Sequence, residues 1–169
     1  AFGVTFVDDS EATQTAVMGC YGIGVSRLIS AVAEVHHDAH GVRWPVCIAP
    51  YRVAIVVLNG NAAKKPAAQA AAAAMVSAGE ELYDSLATTA LAGDVVLDTS
   101  NRTAGVKLAE AALLGYPFVV VVGRRHNGSA LEVKRRSSDA PSGHSDAVHM
   151  SPDELVAAAT AAAAGPGGV

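Results

Sequence analysis

The sequence predicts a mixed α/β fold in which a mixed β-sheet carries helices on both faces. From residue 51 to residue 160, strand-like and helix-like segments follow one another in the order β-α-β-α-β-β-α, and such alternation is typical of this fold class. Two apolar runs, at residues 51–58 and 117–123, are rich in β-branched side chains without clear alternation. Runs of this kind are typical of strands that are buried on both faces of a sheet.

Composition limits the size and the class of the protein. The chain has 169 residues, enough for one ordinary domain or for a fragment followed by a complete domain. Its formal charge of −4 argues against nonspecific coating of nucleic acid but leaves room for a local basic patch. Two cysteines are too few for a disulfide framework. No run of 18 strongly apolar residues occurs, so we predict no membrane-spanning helix.

The N-terminal segment predicts a β-hairpin, a glycine-rich turn and a helix. Residues 2–7 and 13–20 form the expected hairpin, and apolar residues at helical spacing predict a helix over about residues 25–37. Glycines allow a ligand to approach the backbone closely, and a helix start offers unpaired N–H groups that suit an anion. Arg27 in the first helical turn would then supply positive charge to a phosphate. The turn contains Gly19, Gly22 and Gly24.

The phosphate-site hypothesis has an alternative of equal weight. The glycine spacing fits neither the GxxxxGK[ST] loop nor the GxGxxG turn with its acidic residue further on. A tight strand-to-helix connection with a surface arginine would explain the same residues.

Three histidines and an aspartate end this helix, at His36, His37, Asp38 and His40. The cluster invites a metal-site interpretation, yet adjacent helical side chains point about 100° apart, and imidazoles suit the negative end of a helix dipole. We therefore predict no metal site. The proline-containing stretch at residues 41–50 breaks regular structure and marks a domain boundary.

The central elements follow from propensity and glycine placement. Alanine-rich residues 62–90 predict a helix that is entered at Pro66 and interrupted near Gly79. Residues 93–98 predict a strand, and residues 102–114 predict a helix that ends at a glycine. The side chains expected to pack from this second helix are Val106, Leu108, Ala109, Leu113 and Leu114.

The last elements are a strand pair and a capped helix. Residues 129–136 predict an edge strand paired with the strand at 117–123. Ser151 is the expected N-cap of a final helix, with Pro152 at its first position and two acidic residues in its first turn. Residues 161–169 are expected to form a flexible tail.

Several short blocks together resemble prolyl-tRNA synthetases of the bacterial and organellar type. They are MGCYGIGVSRL at residues 18–28, HHD at 36–38, GVRWP at 41–45 and IAPY at 48–51. The resemblance implies that residues 1–45 are the C-terminal piece of an antiparallel class II catalytic domain that includes motif 3. It further implies that residues 46–160 are the anticodon-binding domain of mixed α/β fold.

The same resemblance implies a chemistry and a set of residues for the first block. Enzymes of this family activate proline with ATP and magnesium and then transfer the prolyl group to tRNA. Arg27 would be the catalytic motif 3 arginine on the ATP phosphates, Gly22 and Gly24 would lie against the adenosine, and Gly19 and Cys20 would lie near the proline pocket. For Cys20, a small buried apolar side chain is an equally weighted alternative. The other catalytic motifs are absent from this segment, which would not be catalytic alone.

The resemblance also implies a tRNA-binding surface in the second domain. The family strand that ends at Asp98 continues with Asp and Arg, where this chain has Thr99 and Ser100. That departure removes two charged groups from a surface that reads unpaired bases. The positions retained for tRNA binding are Asp98, Gly105 and Lys107. Further basic candidates are Arg124, Arg125, Lys134, Arg135 and Arg136, although a charged, solvated edge strand would explain them equally well.

Two functional hypotheses follow. In the first, the chain is the C-terminal part of a working, homodimeric prolyl-tRNA synthetase whose N-terminal catalytic portion lies outside this sequence. In the second, it is a non-catalytic, synthetase-derived protein that contacts RNA within a larger organellar assembly such as a mitochondrial ribosome. The bacterial-type wording suggests a mitochondrion or another organelle, or the bacterial cytoplasm.

Overall fold

The computed structural model describes residues 3–59, 66–124, 126, 128–137, 139 and 143–164. The N-terminal part contains β1 (Thr5–Val7), β2 (Thr13–Thr15), α1 (Val25–Val35), β3 (His37–Asp38) and β4 (Gly41–Val42), followed by a 3₁₀ turn at Val46–Ile48. The α/β region contains β5 (Val53–Val57), α2 (Pro66–Ala87), β6 (Val95–Asp98), α3 (Ala104–Leu114), β7 (Phe118–Val122), β8 (Leu131–Arg135), β9 (Val148–Met150) and α4 (Pro152–Ala164).

Among the described residues, the main sheet has the strand order β6-β5-β7-β8-β9. β5 pairs in parallel with β6 and with β7, while β8 is antiparallel to both β7 and β9. Because β6 and β7 lie on opposite sides of β5, the chain changes direction across the sheet at this strand. The predicted mixed α/β sheet is therefore confirmed.

The core lies on both faces of this sheet, as the runs of β-branched residues predicted. β5 and β7 are buried along their whole length. On one face, Val53, Ile55 and Val57 pack with apolar residues of α2 and α4, including Leu86 and Leu155. On the other face, a smaller cluster joins Ala54, Val56, Val119 and Val121 of the sheet to Ala111 of α3. Helices therefore cover both faces.

The predicted interruption of α2 near Gly79 is wrong, because the helix runs unbroken from Pro66 to Ala87. Gly79 instead lies where α2 meets the sheet. A Cβ atom added to Gly79 would lie 2.6 Å from Cγ2 of Val57. The glycine is therefore explained by close helix–sheet packing rather than by a break in the helix.

The predicted packing face of α3 is confirmed only at Leu108, which packs against the smaller cluster on the α3 face of the sheet. Val106, Leu113 and Leu114 are about half exposed, and the buried residues of this helix are Lys107, Ala111 and Ala112. A hydrophobicity pattern selects large apolar residues and passes over a buried lysine and small alanines. The predicted end is confirmed, since Gly115 adopts a left-handed conformation with φ of 79°.

β8 is not an edge strand, in contrast to the prediction. β9 pairs along its outer side, from Leu131 opposite Met150 to Val133 opposite Val148. β9 follows a polar loop and has only three residues, too few for an alternating pattern that would predict a strand.

The N-cap of α4 is confirmed, since Glu154 N donates to Ser151 Oγ at 3.2 Å and Ser151 N donates to a Glu154 carboxylate oxygen at 2.7 Å.

The N-terminal segment forms the predicted hairpin and helix in shorter form. β1 and β2 pair antiparallel from Thr5 opposite Thr15 to Val7 opposite Thr13, and none of the residues of α1 is buried. The short β3–β4 hairpin, which the sequence did not predict, contacts α3. At the other end, residues 161–164 belong to α4, and residues 165–169 of the predicted tail lie outside the described residues.

Candidate nucleic-acid interface

The clearest candidate site lies between α3 and strands β5 and β6, and it reaches the carboxyl end of β6 at Asp98 and Ser100. In open α/β sheets, ligands bind in the crevice at the carboxyl ends of the strands, where the strand order reverses. A cleft of about 250 Å³ opens here on the α3 face of the sheet. Its polar lining consists of Asp98, Ser100, Arg102, Lys107, Glu110 and Tyr116. We refer to this cleft as the crevice.

A buried lysine holds the strand ends together. The Lys107 side chain is 0% exposed, and its Nζ donates to Val57 O at 2.7 Å and to Asn59 Oδ1 at 2.9 Å. It also lies 3.4 Å from Asp98 O and 3.6 Å from Asp98 Oδ1. Asn59 Nδ2 in turn donates to Thr99 O at 2.9 Å. One ammonium thus connects the ends of β5 and β6 to α3.

Burial disfavours the charged forms of Lys107 and Asp98, and the opposite charge of each partner favours them. Burial lowers the pKa of Lys107, and the nearby Asp98 carboxylate partly offsets that effect. Burial alone would raise the pKa of Asp98, but hydrogen bonds from Ser100 and the charge of Lys107 outweigh it, so the pKa is lowered. Asp98 keeps a third of its side chain exposed. An ionised carboxylate is therefore available at the rim of the crevice.

The two positions that depart from the family pattern, Thr99 and Ser100, both make hydrogen bonds that hold the turn after β6. Ser100 N donates to Asp98 Oδ1 at 2.8 Å, which closes the turn after β6. Thr99 supplies the carbonyl that Asn59 binds. Neither contact needs a charged side chain, so the turn keeps a defined shape without the missing Asp and Arg.

Gly105 leaves the first turn of α3 open. A Cβ atom added at this glycine would meet nothing within 4 Å. The residue is exposed and lies two positions from Lys107 along the chain. The backbone of this helix start is therefore accessible to a flat or bulky ligand.

The predicted basic residues do not form one surface. Arg124 is exposed just beyond the carboxyl end of β7, at the same edge of the sheet as the crevice. Lys134 pairs with Val119 and so lies on the α3 face, whereas Arg135 pairs with Phe118, at the amino end of β7. The Arg135 guanidinium lies 5.2 Å from the centre of the Phe118 ring. Arg125 is outside the described residues.

Lys107 and Arg136 are two basic candidates whose side chains are buried. Lys107 was expected on the tRNA-binding surface and Arg136 was a candidate to face tRNA phosphates, but the Lys107 side chain is enclosed and the Arg136 side chain is 4% exposed. Arg136 pairs instead with Asp38, with Nη2 2.7 Å from Oδ1. The hydrogen bond from Arg136 is the main reason that the pKa of Asp38 falls to about 2.

The expected nucleotide site lies in an exposed part of the N-terminal segment. Gly19, Cys20, Gly22, Gly24 and Arg27 are all exposed. The Arg27 side chain makes no ion pair with any described residue. No described carboxylate therefore sequesters its guanidinium. These five residues do not by themselves enclose a pocket.

Among the described residues, no group of three or more His, Cys, Asp or Glu side chains could hold a metal ion. None of the described helices is both long and apolar enough to cross a bilayer.

The fold is that of an open α/β domain with a crevice beside α3, and comparison with known proteins gives its family. The family described as Anticodon binding domain matches residues 52–161. The chain therefore belongs to the anticodon-binding domain family, as the sequence resemblance had indicated.

Curated relatives extend the match beyond this domain. The proline–tRNA ligase of Halalkalibacterium halodurans is 38% identical over 154 residues, which are 91% of this chain and 24% of that protein. The proline–tRNA ligase of Gloeobacter violaceus is 43% identical over 137 residues, 81% of this chain and 21% of that protein. The chain thus spans about a quarter or less of the length of these relatives.

Solved structures agree on the fold. The Giardia lamblia prolyl-tRNA synthetase, solved with prolyl-adenylate, has a TM-score of 0.62 at 22% identity and is matched over 82% of this chain and 29% of its own. The Cryptosporidium parvum prolyl-tRNA synthetase has a TM-score of 0.61 at 18% identity over 95% of this chain and 30% of its own.

Sequence reasoning missed Asn59 and the Asp38–Arg136 pair. Asn59 carried a usable signal, because a polar residue directly after a buried parallel strand lies at the ligand-binding edge of the sheet. The Asp38–Arg136 pair joins residues 98 positions apart, and neither residue carries a local signal of the contact.

Proposed function

We propose that this chain is the motif 3 and anticodon-binding portion of a proline–tRNA ligase. The observation that carries the proposal is the extent of the match to the ligase of Halalkalibacterium halodurans. That match spans 154 residues, more than residues 52–161 contain, so it includes much of the segment that carries Arg27. A free-standing anticodon-binding module would not need this segment.

In the proposed reaction, ATP and its magnesium are substrates, and proline is activated to the adenylate before transfer to tRNA. Arg27 is exposed, is not paired with a described carboxylate and follows a glycine-rich turn. Its guanidinium is suited to bind phosphate oxygens and to offset the charge that develops during adenylate formation. Gly22 and Gly24 would let the adenosine approach the backbone, with Gly19 and Cys20 nearer the proline.

In the proposed anticodon site, unpaired bases enter the crevice. The Asp98 carboxylate would accept hydrogen bonds from base N–H groups, and the open backbone at Gly105 would accommodate a base plane. Arg124, at the same edge of the sheet, would contact backbone phosphate. Lys107 would act indirectly, by holding the ends of β5 and β6 at a fixed spacing. Lys134 and Arg135 lie on other surfaces and could contact tRNA only outside the crevice.

The test is ATP–pyrophosphate exchange by the full-length protein that carries this segment. We expect proline-dependent exchange in the wild type and a loss of about 10²- to 10³-fold in Arg27→Ala, the range seen when one transition-state donor is removed. Binding of tRNA should change less than twofold, because the crevice is untouched. Arg43→Ala is the matched control, since its side chain is half-buried and outside both proposed sites.

Each alternative result has a defined meaning. Full exchange activity in Arg27→Ala would refute the role given to that arginine. A wild type that binds tRNA without any exchange would favour the non-catalytic RNA-binding alternative.

The two relatives described above are bacterial, which favours the bacterial cytoplasm over an organelle. The homodimer expected from the resemblance remains a proposal that sedimentation of the full-length protein would test.

A further inference from the structure

Arg136 occupies the centre of the junction between the N-terminal segment and the α/β domain. Its guanidinium donates five hydrogen bonds to described residues, and a guanidinium has five N–H donors. Nε binds Ala112 O of α3 at 3.1 Å, and Nη1 binds the carbonyl oxygens of Ser137 and Gly143. Nη2 binds Asp38 Oδ1 at 2.7 Å and Gly41 O at 3.3 Å. Three separate parts of the chain thus meet at one side chain.

Glycines let the backbones around this arginine approach closely. Gly41 and Gly115 have positive φ angles of 133° and 79°, and a Cβ on either would clash with the backbone of Leu113 or Val42. Gly143, at φ of 73°, would place a Cβ 2.9 Å from Cβ of His40. The β3–β4 hairpin is therefore packed directly against the end of α3 and the loop after β8.

The hairpin is also continuous with the helix that carries Arg27. His36 N donates to Val32 O at 2.8 Å, so the end of α1 leads into β3 without a flexible linker. Arg43 N donates to His36 O at 2.8 Å and closes the base of the hairpin. On the other side, α3 runs from Lys107 at the crevice to Ala112 at Arg136. Contacts thus run from the crevice along α3 to the hairpin, and the backbone of the hairpin continues into α1.

We propose that Arg136 and Asp38 are positioning residues that fix the angle between the motif 3 segment and the anticodon-binding domain. This inference rests on the proposed function. In a ligase of this kind, a tRNA held by its anticodon must deliver its distant 3′ end to the adenylate, so an error in this angle is magnified at the reacting atoms. Activation of proline, which needs no tRNA, would not depend on the angle.

The kinetic test compares two reactions in the full-length protein. For Asp38→Asn and Arg136→Lys, we expect exchange within twofold of the wild type and a fall of at least tenfold in kcat/KM for tRNA aminoacylation. Asp9→Asn is the matched control, because the Asp9 side chain is exposed and lies outside the junction. A parallel loss of both reactions would show a merely structural role and overturn the inference, as would unchanged aminoacylation.

A distance measurement tests the same inference without activity. Cys20 and Cys47 are both exposed and lie before and after the β3–β4 hairpin in the chain. Spin labels at these positions, in a full-length protein otherwise free of cysteine, should give a distance distribution at least twice as broad in Asp38→Asn as in Asp9→Asn. Equal widths would overturn the inference. If the wild type showed no exchange, the proposed function would fail while this measurement still tested the junction.

Discussion

Replacement of the buried Lys107 by methionine is the most informative perturbation of the crevice. Methionine fills a similar volume but lacks the ammonium, which donates to Val57 O at 2.7 Å and to Asn59 Oδ1 at 2.9 Å. The side chain is fully enclosed, so water cannot replace these donors at their present positions. The variant therefore leaves two acceptors without their partner.

The size of the effect follows from these contacts. A hydrogen bond to a charged group contributes about 1.5–3 kcal/mol, so the two short contacts together contribute about 3–6 kcal/mol. Methionine recovers part of this because it is less costly to bury than an ammonium. Asp98 recovers part as well, since a third of its side chain is exposed to water. We expect a net loss of about 3 kcal/mol in the free energy of unfolding.

Equilibrium unfolding in urea, with thermal unfolding as a second probe, measures this loss. For a chain of this size, about 3 kcal/mol corresponds to a fall of about 6–12 °C in Tm. Lys134→Met is the matched control, because Lys134 is half-buried, and we expect a change within about 0.5 kcal/mol. If Lys107→Met were as stable as this control, the ammonium would not hold the strand ends together.

Three further predictions concern the packing, the junction and the last helix. Gly79→Ala would place a methyl group 2.6 Å from Cγ2 of Val57, and this overpacking should outweigh the gain in helix propensity, for a net loss of about 1–2 kcal/mol by urea unfolding. A stable Gly79→Ala would show that α2 can move away from the sheet without cost. Asp38, whose pKa lies at about 2 instead of 3.8, should contribute about 1–2 kcal/mol above pH 5, after allowance for solvent screening, and lose it as the pH falls towards 2. Unfolding free energies measured across this range should show that step in the wild type and not in Asp38→Asn; identical profiles would argue against the pair. Ser151→Ala should cost about 1 kcal/mol through loss of the α4 N-cap, whereas an unchanged urea midpoint would mean that the cap is dispensable.

Periodicity and propensity were sufficient for the elements that bury apolar surface. The runs at 51–58 and 117–123 became β5 and β7, the central strands of the sheet, because a strand buried on both faces has a distinctive composition. The same reasoning failed for most of α3, where a lysine is buried and two leucines are exposed. Burial of Lys107 depends on acceptors from β5 and β6, which no local pattern reveals.

The site was predictable only in part, and for a related reason. Asp98 lies in the crevice at the end of β6, whereas Gly105, in the first turn of α3, lines a separate cavity beside that helix. The basic residues were expected on two paired strands that could face tRNA, with a charged, solvated edge strand as the alternative. Alternation along β8 sends Lys134 and Arg135 to opposite faces, and the tertiary contact with Asp38 removes Arg136 from solvent.

The measurement that tests the central claim most directly is the anticodon preference of tRNA binding. At fixed salt concentration, the dissociation constants of the full-length protein are compared for a proline tRNA and for the same tRNA with an exchanged anticodon. We expect at least tenfold tighter binding of the proline anticodon by the wild type. Gly105→Glu, where an added Cβ meets nothing within 4 Å, should remain folded and lose this preference. Equal binding of both tRNAs by the wild type, or an unchanged preference in Gly105→Glu, would contradict the proposed anticodon site.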